Sequence, residues 1–166
     1  MTFYPKELTP MFKQLTRLSI DADGRYASDA ELQFLQDYLD SADQRLSAYE
    51  KIRDQEEQII HRWEAVKHGL KQDTFHMGER DVTEICRRDM TNVFRCSVTA
   101  VLFNDLDRLR EGLLIWYQTI VRAYNYTDYA KISYKVIQDV IQEFLTPEEA
   151  NLVLPALKLD HTILSN

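Results

Sequence analysis

Glycine and proline are scarce, at four of each in 166 residues. Both disrupt helix interiors, so long stretches without either argue for helices joined by short connections. No run approaches the ~18 consecutive apolar residues of a membrane span. Basic residues are also in deficit: the formal net charge is −7 and the pI near 5.1. That excludes a sequence-independent grip on nucleic acid and fits a solvated outer surface. The start, Met1-Thr2-Phe3-Tyr4-Pro5-Lys6-Glu7, has no signal-peptide core, which points to the cytosol. Ser–His–Asp, Walker and Rossmann patterns are missing, so the chain is not read as an enzyme.

Cysteine is limited to Cys86 and Cys96. If 82–103 is one helix, the two stand about 15 Å apart along its axis at ~1.5 Å per residue. A disulfide needs Cα atoms within roughly 7 Å, so these are independent thiols. Cys96 is assigned to core packing.

What is present is helical patterning within one domain spanning residues 1–166. Glu7–Leu18 carries apolar residues at Leu8, Met11, Phe12, Leu15 and Leu18, and Asp21–Gly24 breaks the stripe. Ser28-Asp29-Ala30-Glu31 is a capping box. Leu32, Leu35, Tyr38, Leu39, Ala42 and Leu46 follow on one side, and Tyr49–Leu70 continues as helix. Residues 73–80 read as a loop, and Asp81–Glu84 as the cap of the cysteine-bearing helix. Leu106–Ala123 and Tyr129–Leu145 are apolar helices. Thr146-Pro147-Glu148-Glu149 starts the last one, which Pro155 is expected to kink or divide. The fold class is all-α.

Cys86-Arg87-Arg88-Asp89, followed by Arg95, carries the chemistry. The run combines a thiol, cations and a carboxylate within one helical turn. A linear tetrapyrrole needs a sulfur for a thioether, an acceptor for pyrrole N–H groups and cations for two propionates. Cys86 and Asp89 are i,i+3 neighbours on one helix face. Arg88 points elsewhere and must reach around on its long side chain.

Cys-x-Arg-Asp-x5-Arg, continued by Thr99-Ala100-Val101-Leu102-Phe103-Asn104-Asp105, resembles the chromophore helix of phycobiliproteins. Ala22-Asp23-Gly24-Arg25-Tyr26, Ser41–Leu46 and Leu159–Ser165 extend the resemblance over nearly the whole chain. It implies a globin-like body at 28–166 and an N-terminal helical extension at 1–27 for subunit pairing. It further implies one phycocyanobilin-like linear tetrapyrrole, covalently held through Cys86. Asp89 would accept from the pyrrole nitrogens and Arg88 would pair with a propionate, helped by Arg87 and Arg80. Arg95 would meet an aspartate at the Asp23 position of a neighbouring subunit, giving a homo- or heterodimer. Phycobilisome linkers and photosystem components are further implied partners. The implied role is light harvesting in or near a phycobilisome, cytoplasmic and peripheral to the thylakoid. The alternative is a pigment-free protein of the same fold that assists assembly, regulation or turnover of photosynthetic complexes.

The chain departs from the family pattern at three places. His68–Asp73 replaces a Gly-Gly-Asn segment, Ile115-Trp116 an Asn-Gly motif, and Tyr124–Thr127 a Leu-Gly-Val-Pro turn. Without a cysteine in the C-terminal third, a second bilin site of the family type is not available. Tyr117, Tyr124, Tyr126, Tyr129 and Tyr134 are candidates to line a pigment, although helical spacing also suits core or interface positions. Phe75, His76 and Met77 are candidates for a lid. Glu57, His61, Glu64 and His68 share one stripe, but their order and charged surroundings read as an exposed face, and no metal site is assigned. His61, His68 and His76 have no haem motif.

Overall fold

The computed structural model describes residues 11–70, 72 and 75–166. Helix α1 covers Met11–Asp21 and α2 Asp29–His68. Two-residue strands β1 (His76–Met77) and β2 (Arg80–Asp81) form an antiparallel hairpin before α3, Thr83–Leu102. A short α4 (Leu106–Leu109) runs through a π-helical turn at Arg110–Leu114 into α5, Ile115–Ala123. Helices α6 (Thr127–Ile141) and α7 (Pro147–Leu164) complete the chain. The fold is all-α, as the composition indicated. The expected helix start at Glu7 and part of the 73–80 loop lie outside the described residues.

The Ser28 capping box acts as expected, and the Thr146 N-cap turns out to be a second one. Ser28 accepts from the Glu31 N–H while Glu31 reaches back to the Ser28 N–H, and Thr146 and Glu149 do the same for α7. Asp81 Oδ1 accepts from the Thr83 N–H at 2.8 Å and from its hydroxyl at 2.6 Å, anchoring the start of α3. At the other end of α3, the Tyr38 hydroxyl donates to Leu102 O and Arg45 donates to Val101 O. The Leu102 carbonyl at the helix end is thereby satisfied from α2, and the Val101 carbonyl, which also accepts from the Asn104 N–H, gains a second donor. The chain then leaves the helix through Asn104, whose φ is +51°.

Helix α2 is the spine, with 40 residues and a length of about 60 Å at ~1.5 Å per residue. Its C-terminal half buries Ile52, Ile59, Ile60 and Trp63 against α3, α6 and α7. The same core takes Met90, Val93, Phe94, Val98 and Val101 from α3, and Ile137, Val140, Ile141, Val153 and Leu157 from the last two helices. The N-terminal half of α2 is different: Leu32, Leu39 and Leu46 are exposed, as are Ile20 and Tyr26 just before it. Helix α1 packs on α2 and reaches the α3–α4 junction, with Phe12 against Phe103 and Lys13 paired to Asp107 of α4.

Several expectations need correction. Residues 76–81 form a short hairpin and not a plain loop. Pro155 neither divides α7 nor starts a new segment. It lies on the exposed side, where the carbonyl of Asn151, exposed too, can turn to water. Leu106–Ala123 is not a uniform α-helix, because the chain widens to π geometry around Gly112.

Candidate functional site

Helix α3 places Cys86 and Asp89 on one side, one turn apart, at a cleft closed by α2, α5 and α6. Trp63 forms its inner wall, and its indole N–H donates to Ser133 O at 3.0 Å. Tyr117 comes from α5, Tyr126 from the turn before α6, and Tyr129 and Tyr134 from α6. Tyr126 is held by its neighbours: it stacks on Tyr124 and meets Tyr129 edge-on. The turn presenting it passes through Asn125 at φ +55°. Thus the sequence Tyr124–Thr127, a departure from the resembled pattern, supplies an aromatic rim.

Asp89 is half-buried and already engaged. Its Oδ2 accepts from the Tyr117 hydroxyl at 3.1 Å, and its Oδ1 from Arg88 at 3.0 and 3.1 Å. A carboxylate offers about four lone-pair sites, so these contacts orient it without saturating it. Burial and the neighbouring Asp89 charge push the Tyr117 phenol well above its ordinary range, keeping it a donor. Arg88 reaches around the helix to Asp89 as its spacing required, and its side chain stays exposed.

Cys86 is half-buried. Burial raises its thiol above the ordinary value; the Lys67 ammonium opposes this, while Asp89 and Asp81 reinforce it. The resting sulfur is therefore a protonated thiol at neutral pH. Lys67 itself is 1% exposed, with Nζ 4.3 Å from the Trp63 ring centre and 4.1 Å from that of Phe75. Desolvation pushes it down to about 8, against the pull of Cys86 and Glu64.

The other named residues divide. Arg80 is exposed on β2, close enough to Tyr126 to lower its phenol against the upward push of burial. Arg87 turns to the other side, pairing with Glu64 at 2.6 and 3.0 Å and with Glu84 at 2.9 Å. Of the arginines near Cys86 it is the least available to a ligand. Phe75 is buried against Trp63 and His68 and anchors the hairpin, while the Tyr129 hydroxyl donates to His76 O and ties it to α6.

Two assignments fail on burial. Cys96 is exposed, not packed in the core. The buried stripe of α3 runs through Met90, Val93, Phe94, Ser97, Val98 and Val101, and Cys96 falls one position outside it. It opens, with Arg95, on a separate groove of about 560 Å³ beside Phe12, Phe103 and Leu113. Glu64 is 8% exposed where an exposed face was expected, because it flanks Trp63 and receives Arg87 from α3. Glu57, His61 and His68 are exposed as read. Among the described residues no cluster of histidine, cysteine and carboxylates has metal-site geometry.

Arg95 forms a bidentate pair with Glu56 of its own chain, at 2.6 and 2.7 Å. Asp23 stands exposed in the turn after α1. The two do not meet within one subunit.

Residues 18–164 match the sequence model of the family described as phycobilisome protein. The chain belongs to that family. Its all-α, globin-like arrangement is the family's, and the match runs from late α1 to the end of α7. No individually curated protein matches the chain. Among the described residues no helix is long and apolar enough to cross a membrane.

Proposed function

We propose that this family member is a light-harvesting subunit carrying one linear tetrapyrrole through a thioether at Cys86. The observation that carries the reading is the joint placement of Cys86 and Asp89 at a cleft walled by Trp63 and tyrosines. The donor set fits the group: a thiol for the bond, a pre-oriented carboxylate for pyrrole N–H groups, and exposed Arg88 and Arg80 for propionates. The cleft has about 60 Å³ of solvent-accessible space, too little to enclose four rings. The bulk of the pigment would rest outside it, towards the exposed arginines. The bound tetrapyrrole supplies the visible absorption. The protein's part is to restrict it by the covalent bond, the Asp89 contact and the aromatic wall.

Subunit pairing accompanies this reading. Exposed Ile20, Tyr26, Leu39 and Leu46 give the N-terminal region apolar surface suited to a related subunit. Asp23 and Arg95 are proposed to pair across that contact, Arg95 exchanging or sharing its Glu56 partner. The assembly would lie at the cytoplasmic face of the thylakoid, where linkers or photosystem components are reachable.

Co-expression with a bilin-producing pathway and lyases, comparing wild type with Cys86→Ala on denaturing gels, tests the pigment assignment. Covalent colour that depends on Cys86 supports it, and a colourless wild type with every lyase refutes it. The small cleft and the Tyr117 bond to Asp89 favour one second reading. In it the chain keeps the fold, binds no pigment and serves assembly, regulation or turnover of photosynthetic complexes.

A further inference from the structure

Asp89 meets the cleft with a donor already on each oxygen. The Tyr117 hydroxyl donates to Oδ2 at 3.1 Å, and Arg88 donates to Oδ1 at 3.0 and 3.1 Å. The two donors differ in kind. Arg88 precedes Asp89 on the same helix and its side chain is exposed, so water exchanges readily for that contact. Tyr117 comes from α5, is half-buried, and lines the same cleft as Asp89 and Cys86. Oδ2 is thus bonded to the cleft wall and Oδ1 to a residue outside it. An N–H donor inside the cleft meets Asp89 on the side that Tyr117 already occupies.

We propose that Tyr117 is a positioning residue that tunes the charge state, and hence the colour, of a tetrapyrrole in this cleft by competing for Asp89. This deepens the pigment-binding reading and rests on it. A protonated tetrapyrrole is a cation, and an ionised carboxylate at its pyrrole N–H groups favours that form. A hydroxyl donating to the same carboxylate takes up one of its lone pairs and turns the positive end of its dipole towards the cation. Both effects weaken the hold of Asp89 and favour the neutral tetrapyrrole. The proton lost from a ring nitrogen goes to water, and no covalent bond changes at Asp89. Removing the hydroxyl therefore strengthens the cationic form.

The other charged and titratable groups around the cleft are fixed in both states. Cys86 on α3 is consumed by the thioether. Tyr126 before α6 and Tyr134 on α6 are held as phenols by burial, as is Tyr117 itself, and Tyr129 donates to His76 O. Lys67 of α2 lies behind the cleft wall, over the Trp63 ring. Arg80 on β2 and Arg88 are exposed cations at every pH of interest.

The test loads the full chain by co-expression with bilin synthesis and lyases, then titrates its visible absorbance from pH 5 to 10. Tyr117→Phe keeps the ring and removes only the hydroxyl, and circular dichroism checks that both proteins stay folded. The midpoint at which the protonated spectrum gives way to the neutral one should lie about one pH unit higher in Tyr117→Phe. In an Asp89→Asn background the same substitution should not add its shift, because the phenol acts through the carboxylate. An unmoved or lowered midpoint, absorbance that titrates in neither protein, or an equal shift without Asp89 would overturn the proposal. The unloaded chain gives a second reading by carbon NMR with labelled tyrosine. The Tyr117 Cζ signal, assigned by its loss in Tyr117→Phe, should move as acid protonates Asp89 and stay flat over the same range in Asp89→Asn. Identical behaviour in the two would overturn it as well. A wild type that accepts no bilin refutes the pigment reading and this proposal together, whereas loaded proteins with superimposable titrations refute the tuning alone.

Discussion

Asp160 gives the most quantitative prediction. It is fully buried on α7, and its Oδ2 accepts from the Ser97 hydroxyl at 2.7 Å while Oδ1 has no partner. Desolvation raises the carboxyl from 3.8 to about 8, with Ser97 opposing only in part. Protonated, the carboxyl is tolerated; ionised, it is a buried charge beside one hydroxyl. A carboxyl whose folded pKa is raised contributes fully to stability below its unfolded pKa. That contribution is lost as pH climbs from about 4 through about 8. About four pH units at ~1.4 kcal/mol each put the loss on the order of 5 kcal/mol. Asp160→Asn keeps the shape and the neutral state at every pH. Urea unfolding of both proteins at pH 5, 6, 7 and 8.5 isolates the group, because all other titrations are shared. The variant should already gain about 1–2 kcal/mol on wild type by pH 5, and the gap should widen by several kcal/mol more at pH 8.5. Parallel stability curves would refute the assignment of a buried neutral carboxyl.

Three further outcomes follow from the packing. Glu149 accepts from Ser47, Lys51 and the Thr146 N–H, which together outweigh burial and lower its carboxyl to about 2. Its contribution is present above the ordinary carboxylate range and fades as pH falls towards about 2. Glu149→Gln should therefore cost about 1–2 kcal/mol at pH 7 and much less at pH 3 in urea titrations. Leu157 is 1% exposed in the α6–α7 core, and Leu157→Ala should lose about 2–5 kcal/mol in the same assay. Arg95→Glu breaks a pair whose arginine is largely exposed and places a second carboxylate beside Glu56. It should cost the isolated domain about 1 kcal/mol or less yet lower the dimer fraction in light scattering. An unchanged dimer would count against the Asp23–Arg95 contact.

The elements that local chemistry dictates were legible from the chain. Ser28/Glu31 and Thr146-Pro147 marked two helix starts, and apolar stripes marked α1, α2, α5 and α6. Cys86, Arg88 and Asp89 were readable because the i,i+3 relation fixes a shared face and a long arginine can reach round it. The rest depended on tertiary context. The charged run around Glu64 suggested solvent, but Arg87 arrives from α3 to bury it. Lys67 offered no sequence signal of its own, since a lysine beside a histidine on a charged helix is ordinarily exposed. Cys96 differs from the core residue Ser97 by one position, a rotation of about 100° that periodicity resolves only when the helix phase is known. Asp160 sits beside a histidine near the C-terminus, and its burial appears only when α3 packs on α7. The π turn around Gly112 likewise has no motif that announces it.

The account turns on which sulfur carries pigment, and peptide mapping answers that most directly. Trypsin should release Cys86 within residues 81–87 and Cys96 within residues 96–108, because arginines bound both segments. After co-expression with bilin synthesis and lyases, tandem mass spectrometry should find one tetrapyrrole mass on the 81–87 peptide and none on the other. Unmodified Cys86 in every preparation, or pigment on Cys96 alone, would contradict the assignment.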